Sequence, residues 1–293
     1  MRSGGRSAAR VPLRSVEVMT TTTHRTPTST TPTPLGRAAR LLRHPLGWLA
    51  AGLVAVGALS TFAGAAPVVA LLGTAGAVVA YWAIMRFVAR RPTPELTGAG
   101  LGRNLATGSG IGAAFLLGSV AVITVLGGYT FTTTGAVGVG ALPGLVVVAV
   151  TGAVTEELLF RGLIFQAVEA LRGPRVALVV SALLFGLAHL ANPGASLWSS
   201  VAIAVEAGGL LGAAFWWRRN LWFVTALHAV WNGLEQLIGI QVSGHTAPSL
   251  LLTHADGPML LTGGAFGLEA SIVPIVASVA LSVVLLRRRT RTV

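Results

Sequence analysis

TEELLFRGLIFQAVEALRGPRVALVVSALLFGLAH, residues 155–189, is the stretch whose reading decides the fold. Two apolar segments flank an Arg-Gly-Pro-Arg turn at 172–175, where Gly173 and Pro174 stop one helix and start the next. Glu156 stands 17 residues before Gly173 and His189 stands 16 after it. At 1.5 Å per helical residue, an antiparallel hairpin carries both to the same level, roughly 25 Å from a tip that bears Glu169, Arg172 and Arg175.

The solvent around that hairpin follows from composition. Of 293 residues 53% are hydrophobic and only 10% charged, with mean hydropathy +0.76. Soluble domains carry about a quarter charged residues, so lipid is the natural solvent here. The net charge of +12 is all arginine, collected between apolar runs rather than in a patch suited to nucleic acid. With no cysteine, disulfides, thiolate nucleophiles and Cys-ligated zinc are excluded. Asp256 is the only aspartate, which excludes intramembrane proteases that need two aspartates sharing a proton.

Residues 1–44, rich in Arg, Thr, Ser and Pro, read as a disordered cytosolic tail with no cleavable signal, and Met19 is an alternative start. Apolar runs then recur near 46–65, 68–88, 108–128, 142–170, 175–192, 197–217, 221–240 and 268–286. They predict an all-α polytopic membrane protein of about eight transmembrane helices. Arginines occupy the tail and the segments after the second, fourth, sixth and eighth runs, while the intervening loops have none. By the positive-inside rule both termini are cytosolic. The chain divides into the tail at 1–44, two helices and a basic linker at 45–104, and a polar-bearing bundle at 105–240. An extracytoplasmic loop at 241–267 and a last helix with basic tail at 268–293 complete it. GGLLG, residues 208–212, reads as a helix-packing site. GVGALPG at 138–144 lacks the ending of a phosphate loop, and TGSGIG around Ser109 offers a serine with no histidine dyad of its own.

Ionisable groups inside apolar runs mark functional sites because each costs free energy unless paired or hydrated. Here they are Glu156, Glu157, Arg161, His189, Glu206, His228 and Glu235. Glu157 and Arg161 stand at i, i+4 and can pair. Glu156 points about 100° away, un-neutralised, as an acid or base does. Phe185 and His189 share a face of the fifth helix. His228 and Asn232 share a face of the seventh, where two donors can hold an oxyanion. Glu206 and Glu235 have no charged partner on their own faces and read as structural or water-facing. His24, His44, His245 and His254 fall in tails or loops.

The ordered set EExxxR, FxxxH and HxxxN resembles the CPBP family, the CaaX proteases and Abi-type bacteriocin-processing or immunity enzymes, over roughly 105–240. The resemblance implies an all-α intramembrane endopeptidase with a cavity open to one side. By motif, Glu156 activates water, His189 positions it, and His228 and Asn232 stabilise the oxyanion. Glu157, Arg161 and Phe185 orient the site or bind the substrate's carboxyl end.

Family members are commonly described as metalloproteases, and Glu156, His189 and His228 are the candidate zinc ligands. HExxH is absent and Asn232 is a poor ligand for zinc, so the preferred reading has no tightly bound cofactor, with Zn²⁺ as alternative. The expected partners are the bilayer and a membrane-associated protein or peptide. The composition suggests a high-GC bacterium, hence the bacterial plasma membrane and a substrate other than a prenylated one. The alternatives are a proton-coupled transporter relaying through Glu156, His189 and Glu206, and an inactive immunity or binding protein.

Overall fold

A computed structural model describes residues 34–62, 65–98, 100–133 and 139–289. Each of the eight apolar runs forms a helix. They are α2 (Pro45–Ser60), α3 (Pro67–Val88), α4 (Leu101–Val125), α5 (Leu142–Arg172), α6 (Pro174–Ala191), α7 (Leu197–Arg218), α8 (Leu221–Leu237) and α9 (Ile272–Arg289). Helices α3 to α7 are long and apolar enough to cross a membrane by length and composition, and α2 is a shorter apolar helix. The chain is a multi-pass membrane protein. Side chains such as Val54, Leu72, Val125, Leu183 and Val276 point outwards, as lipid permits.

Two expectations need correction. Residues 34–44 are not irregular: Pro34–Arg43 forms α1, with Arg40 and Arg43 in its last turn. Leucines and arginines at helical spacing outweigh the polar composition of the tail around them. Residues 1–33, with His24 and Met19, and residues 290–293 lie outside the described residues. The second correction is a small antiparallel sheet, in which β1 (Tyr129–Thr133) pairs with β2 (Leu251–Ala255), Tyr129 opposite Ala255. Thr- and aromatic-rich YTFTT suits a strand, but its partner lies over a hundred residues away in sequence.

Local chemistry sets the helix ends. Proline stands in the first turn of α2, α3, α5 and α6, where its missing N–H removes no helical bond. Gly173 takes φ 81°, which makes the α5–α6 turn possible. Ser196 caps α7 in a reciprocal box with Ser199, and Asn220 caps α8 by accepting from the Phe223 N–H at 3.0 Å.

The bundle is tied separately at its two ends. At the arginine-bearing end, Arg219 bridges to Glu169 at 2.7 Å, Arg91 donates to Glu95 at 2.7 Å and to Gln166 at 2.9 Å, and Trp222 donates to Leu96 O at 3.1 Å. At the arginine-free end, beside the sheet, Asn192 donates to Ser243 O at 3.0 Å and Trp198 donates to Ala270 O at 2.8 Å. The charge alternation in the sequence therefore corresponds to two physical ends of the molecule.

Close helix approach completes the frame. A Cβ on Gly108 or Gly112 would run into the carbonyl oxygens of Phe223 and Leu227, so TGSGIG is the surface on which α8 rests against α4. In the same way Gly208 meets the Ala182 backbone and Gly212 meets Leu178, and GGLLG serves the packing role expected of it.

Candidate active site

Helix α5 widens into a π segment at Leu158–Phe165, immediately after Glu157. Glu157 is fully buried, and its Oε1 accepts from Arg161 Nη1 at 3.1 Å, the expected i, i+4 pair. The same oxygen lies 2.8 Å from His228 Nδ1 on α8. Arg161 is also fully buried, and its Nη2 donates to Ala207 O and Gly208 O at 2.9 and 3.2 Å. Those carbonyls belong to a second π segment, Ala204–Gly209 of α7, where the irregular ladder leaves acceptors for a side chain. The Arg161 guanidinium lies 4.8 Å from the Phe185 ring centroid, within cation–π range. Glu157 and Arg161 thus lock α5, α7 and α8 together. Neither lines the cavity beside them.

Glu156 takes the other face of α5. Its side chain is 32% exposed and lines a cavity of about 490 Å³. His189, His228 and Asn232 line the same cavity. His228 Nε2 lies 3.9 Å from Glu156 Oε2 and 3.2 Å from Asn232 Nδ2. His189 does not continue the α-helical part of α6 but opens the 3₁₀ turn His189–Ala191 at its end. Its Nδ1 sits 2.7 Å from Phe185 O. A carbonyl only accepts, so Nδ1 carries the hydrogen and Nε2 is the acceptor of the neutral ring. Phe185 fills the space between the histidines, its ring 4.5 Å from His189 and 6.3 Å from His228.

The matched-level reading of the hairpin therefore holds in space, and the seventh-helix pair joins it. Ser109 does not line the cavity. His44 accepts from the Leu46 N–H at the start of α2, His254 contacts Thr132 across the sheet, and His245 is exposed at the rim of the cavity.

What sequence reasoning missed is the far wall. Gln236, Ser243, His245 and Glu269 also line the cavity. Glu269 Oε1 accepts from both Ser243 N and Ser243 Oγ at 2.9 Å. Glu235 Oε1 accepts from Leu268 N at 3.2 Å, and Glu206 lies within electrostatic range of Glu269. All three carboxyl groups are buried, so Glu206 and Glu235 are not water-facing. Each sits on a different element, and same-face spacing within one helix carries no trace of such a meeting. A carboxyl group at the start of an apolar run was the available signal for Glu269.

Of the zinc candidates, Glu156, His189 and His228 share the cavity, but His228 Nε2 is engaged with the Asn232 amide. Among the described residues no three His, Asp or Glu side chains form a group able to hold a metal ion. The residues as arranged do not fit a three-ligand zinc centre.

Residues 138–234 match the family model described as type II CAAX prenyl endopeptidase Rce1-like. This segment is CAAX-protease-like. The CAAX-protease-like segment runs from the start of α5 into α8 and includes Glu156, Glu157, Arg161, Phe185, His189, His228 and Asn232, so the similarity and the cavity fall on the same helices. Helix α4, which the motif reading included, lies before it. No curated protein and no solved structure matches the chain.

Proposed function

We propose that this protein is an intramembrane endopeptidase of the bacterial plasma membrane, with both termini cytosolic, acting on membrane-associated proteins or peptides. The observation that carries this reading is that Glu156, His189, His228 and Asn232, from three helices, line one cavity within the CAAX-protease-like segment.

In the proposed reaction Glu156, the partly hydrated carboxylate, takes a proton from water as that water attacks the scissile carbonyl carbon. His189 aligns the water through Nε2, with Nδ1 anchored on Phe185 O. The carbonyl oxygen becomes an oxyanion. Asn232 donates to it with the amide hydrogen not engaged by His228. His228, its Nδ1–H held by Glu157, accepts the other Asn232 amide hydrogen at Nε2 and so aims that donor at the oxyanion. As the C–N bond breaks, Glu156 returns its proton to the departing amine. No tightly bound metal is part of this scheme.

The test compares membrane-associated peptides by mass spectrometry in cells carrying wild type or Glu156→Gln. Peptides produced by wild type and missing from the variant, at equal protein level, are the expected result. Retained turnover in both Glu156→Gln and His228→Ala overturns the reading.

A further inference from the structure

Two observations together bear on the side of the membrane from which the cavity is reached. The first is positional. Helix α6 starts at Pro174 within the Arg172–Arg175 turn, and His189 opens its final 3₁₀ turn, so His189 lies at the end of the hairpin remote from the arginines. Beyond it, the cavity is bordered by Asn192, Ser243, His245, Thr246 and Ala247, of which His245, Thr246 and Ala247 are exposed. These residues belong to the loops that tie the arginine-free end, through Asn192 to Ser243 O and Gly244 N to Phe266 O. The opposite end is tied by Arg219, Arg91 and Trp222, none of which lines the cavity.

The second is electrostatic. The connections at that end carry Arg86, Arg90, Arg91, Arg103, Arg172, Arg175, Arg218 and Arg219, whereas the connections at the end bordering the cavity carry none. Basic loops stay on the cytosolic side. Val148 and Ala188, also on the cavity lining, are exposed.

We infer that the cavity opens to the extracytoplasmic face, and that the substrates are peptide segments presented there, at the outer leaflet, rather than chain ends anchored on the cytosolic surface. The inference rests on the proposed protease for its substrate, but not for the direction of the opening.

Because the natural chain has no cysteine, single cysteines test it directly. Ala247→Cys places a thiol at the rim, and Ala170→Cys places one beside the arginine turn; both positions are exposed. In intact cells a membrane-impermeant maleimide labels Ala247→Cys and leaves Ala170→Cys unlabelled until the membrane is permeabilised. The reverse pattern overturns the inference. This readout involves no catalysis, so failure of the protease reading leaves it unaffected. In a second arm, one reporter peptide is lipid-anchored on the outer face and on the cytosolic face in separate strains. The expected result is fragment release from the outward-facing copy alone, lost in Glu156→Gln. Release from the cytosolic copy alone overturns the substrate side, and release from neither counts against the protease itself while the labelling still decides the opening.

Discussion

Glu157 Oε1 lies 2.8 Å from His228 Nδ1, so the inner of two adjacent glutamates on α5 sets the orientation of a histidine on α8. The outer one, Glu156, faces the cavity. Adjacent residues with the same chemistry are divided by about 100° of helix rotation into one that holds His228 and one that lines the cavity.

That division predicts opposite phenotypes. Glu156→Gln removes turnover with little change in thermal stability, because Glu156 is partly exposed and its nearest ion-pair distance is 3.9 Å. Glu157→Gln keeps an acceptor for His228 but leaves Arg161 without its counter-charge. We expect a lower Tm and a kcat reduced by about tenfold or more, roughly 1.4 kcal/mol or more of transition-state stabilisation, with KM little changed. Thermal scans and steady-state kinetics in detergent check both. An unchanged kcat for Glu157→Gln removes it from the site.

Arg161 is held by Glu157, by two carbonyls of α7 and by the Phe185 ring. Arg161→Leu strands a buried carboxylate and costs about 3–5 kcal/mol. Arg161→Lys does not restore the fit, since an ammonium cannot reproduce the planar fork that spans Glu157 and the two carbonyls. Both variants are expected to unfold at lower temperature than wild type; wild-type stability in Arg161→Lys contradicts this.

The α4–α8 contact has no room for a side chain at Gly112. Gly112→Val forces α8 away and moves His228 and Asn232 with it. Overpacking of this kind costs about 1–3 kcal/mol. Activity is expected to fall more than stability, whereas Gly110→Ala, whose Cβ meets nothing within 4 Å, leaves both unchanged.

Glu206 has two buried oxygens without a hydrogen-bond partner among the described residues. A neutral amide of the same shape removes the cost of ionising a carboxyl group in this buried place. Glu206→Gln should therefore retain cleavage and hold or raise Tm. Loss of cleavage in a folded variant would give the carboxyl cluster a part in the reaction.

The proposed reaction uses no tightly bound metal, since His228 Nε2 is engaged by the Asn232 amide. Elemental analysis of purified, active protein is expected to find zinc well below one per chain, with activity surviving a chelator. Stoichiometric zinc removed together with activity overturns that scheme.

Much of this was legible because membrane helices obey strong one-dimensional rules. A span must be apolar for its full length, so Glu156, Arg161, His189 and His228 stand out against their surroundings. Helical spacing then paired Glu157 with Arg161 and His228 with Asn232, and a count about Gly173 levelled Glu156 with His189. The sheet of β1 with β2, the helical end of the tail and the cluster of Glu206, Glu235 and Glu269 were not legible. Two of these join residues far apart in sequence, to which no local period points.

The sequence by itself determined the solvent, the helix runs, the arginine alternation and the polar residues that stand in apolar surroundings. These follow from the free energy of placing single groups in lipid, which depends on residue type and order. Tertiary structure alone decided that Glu157 rather than Glu156 holds His228, that Arg161 is committed to the carbonyls of α7, and that the far wall of the cavity comes from Ser243 and Glu269. Those choices depend on the rotation of each helix and on two π segments, which place side chains within 3 Å of one partner or another. Angles of that kind are set by packing between helices rather than by composition along any one of them.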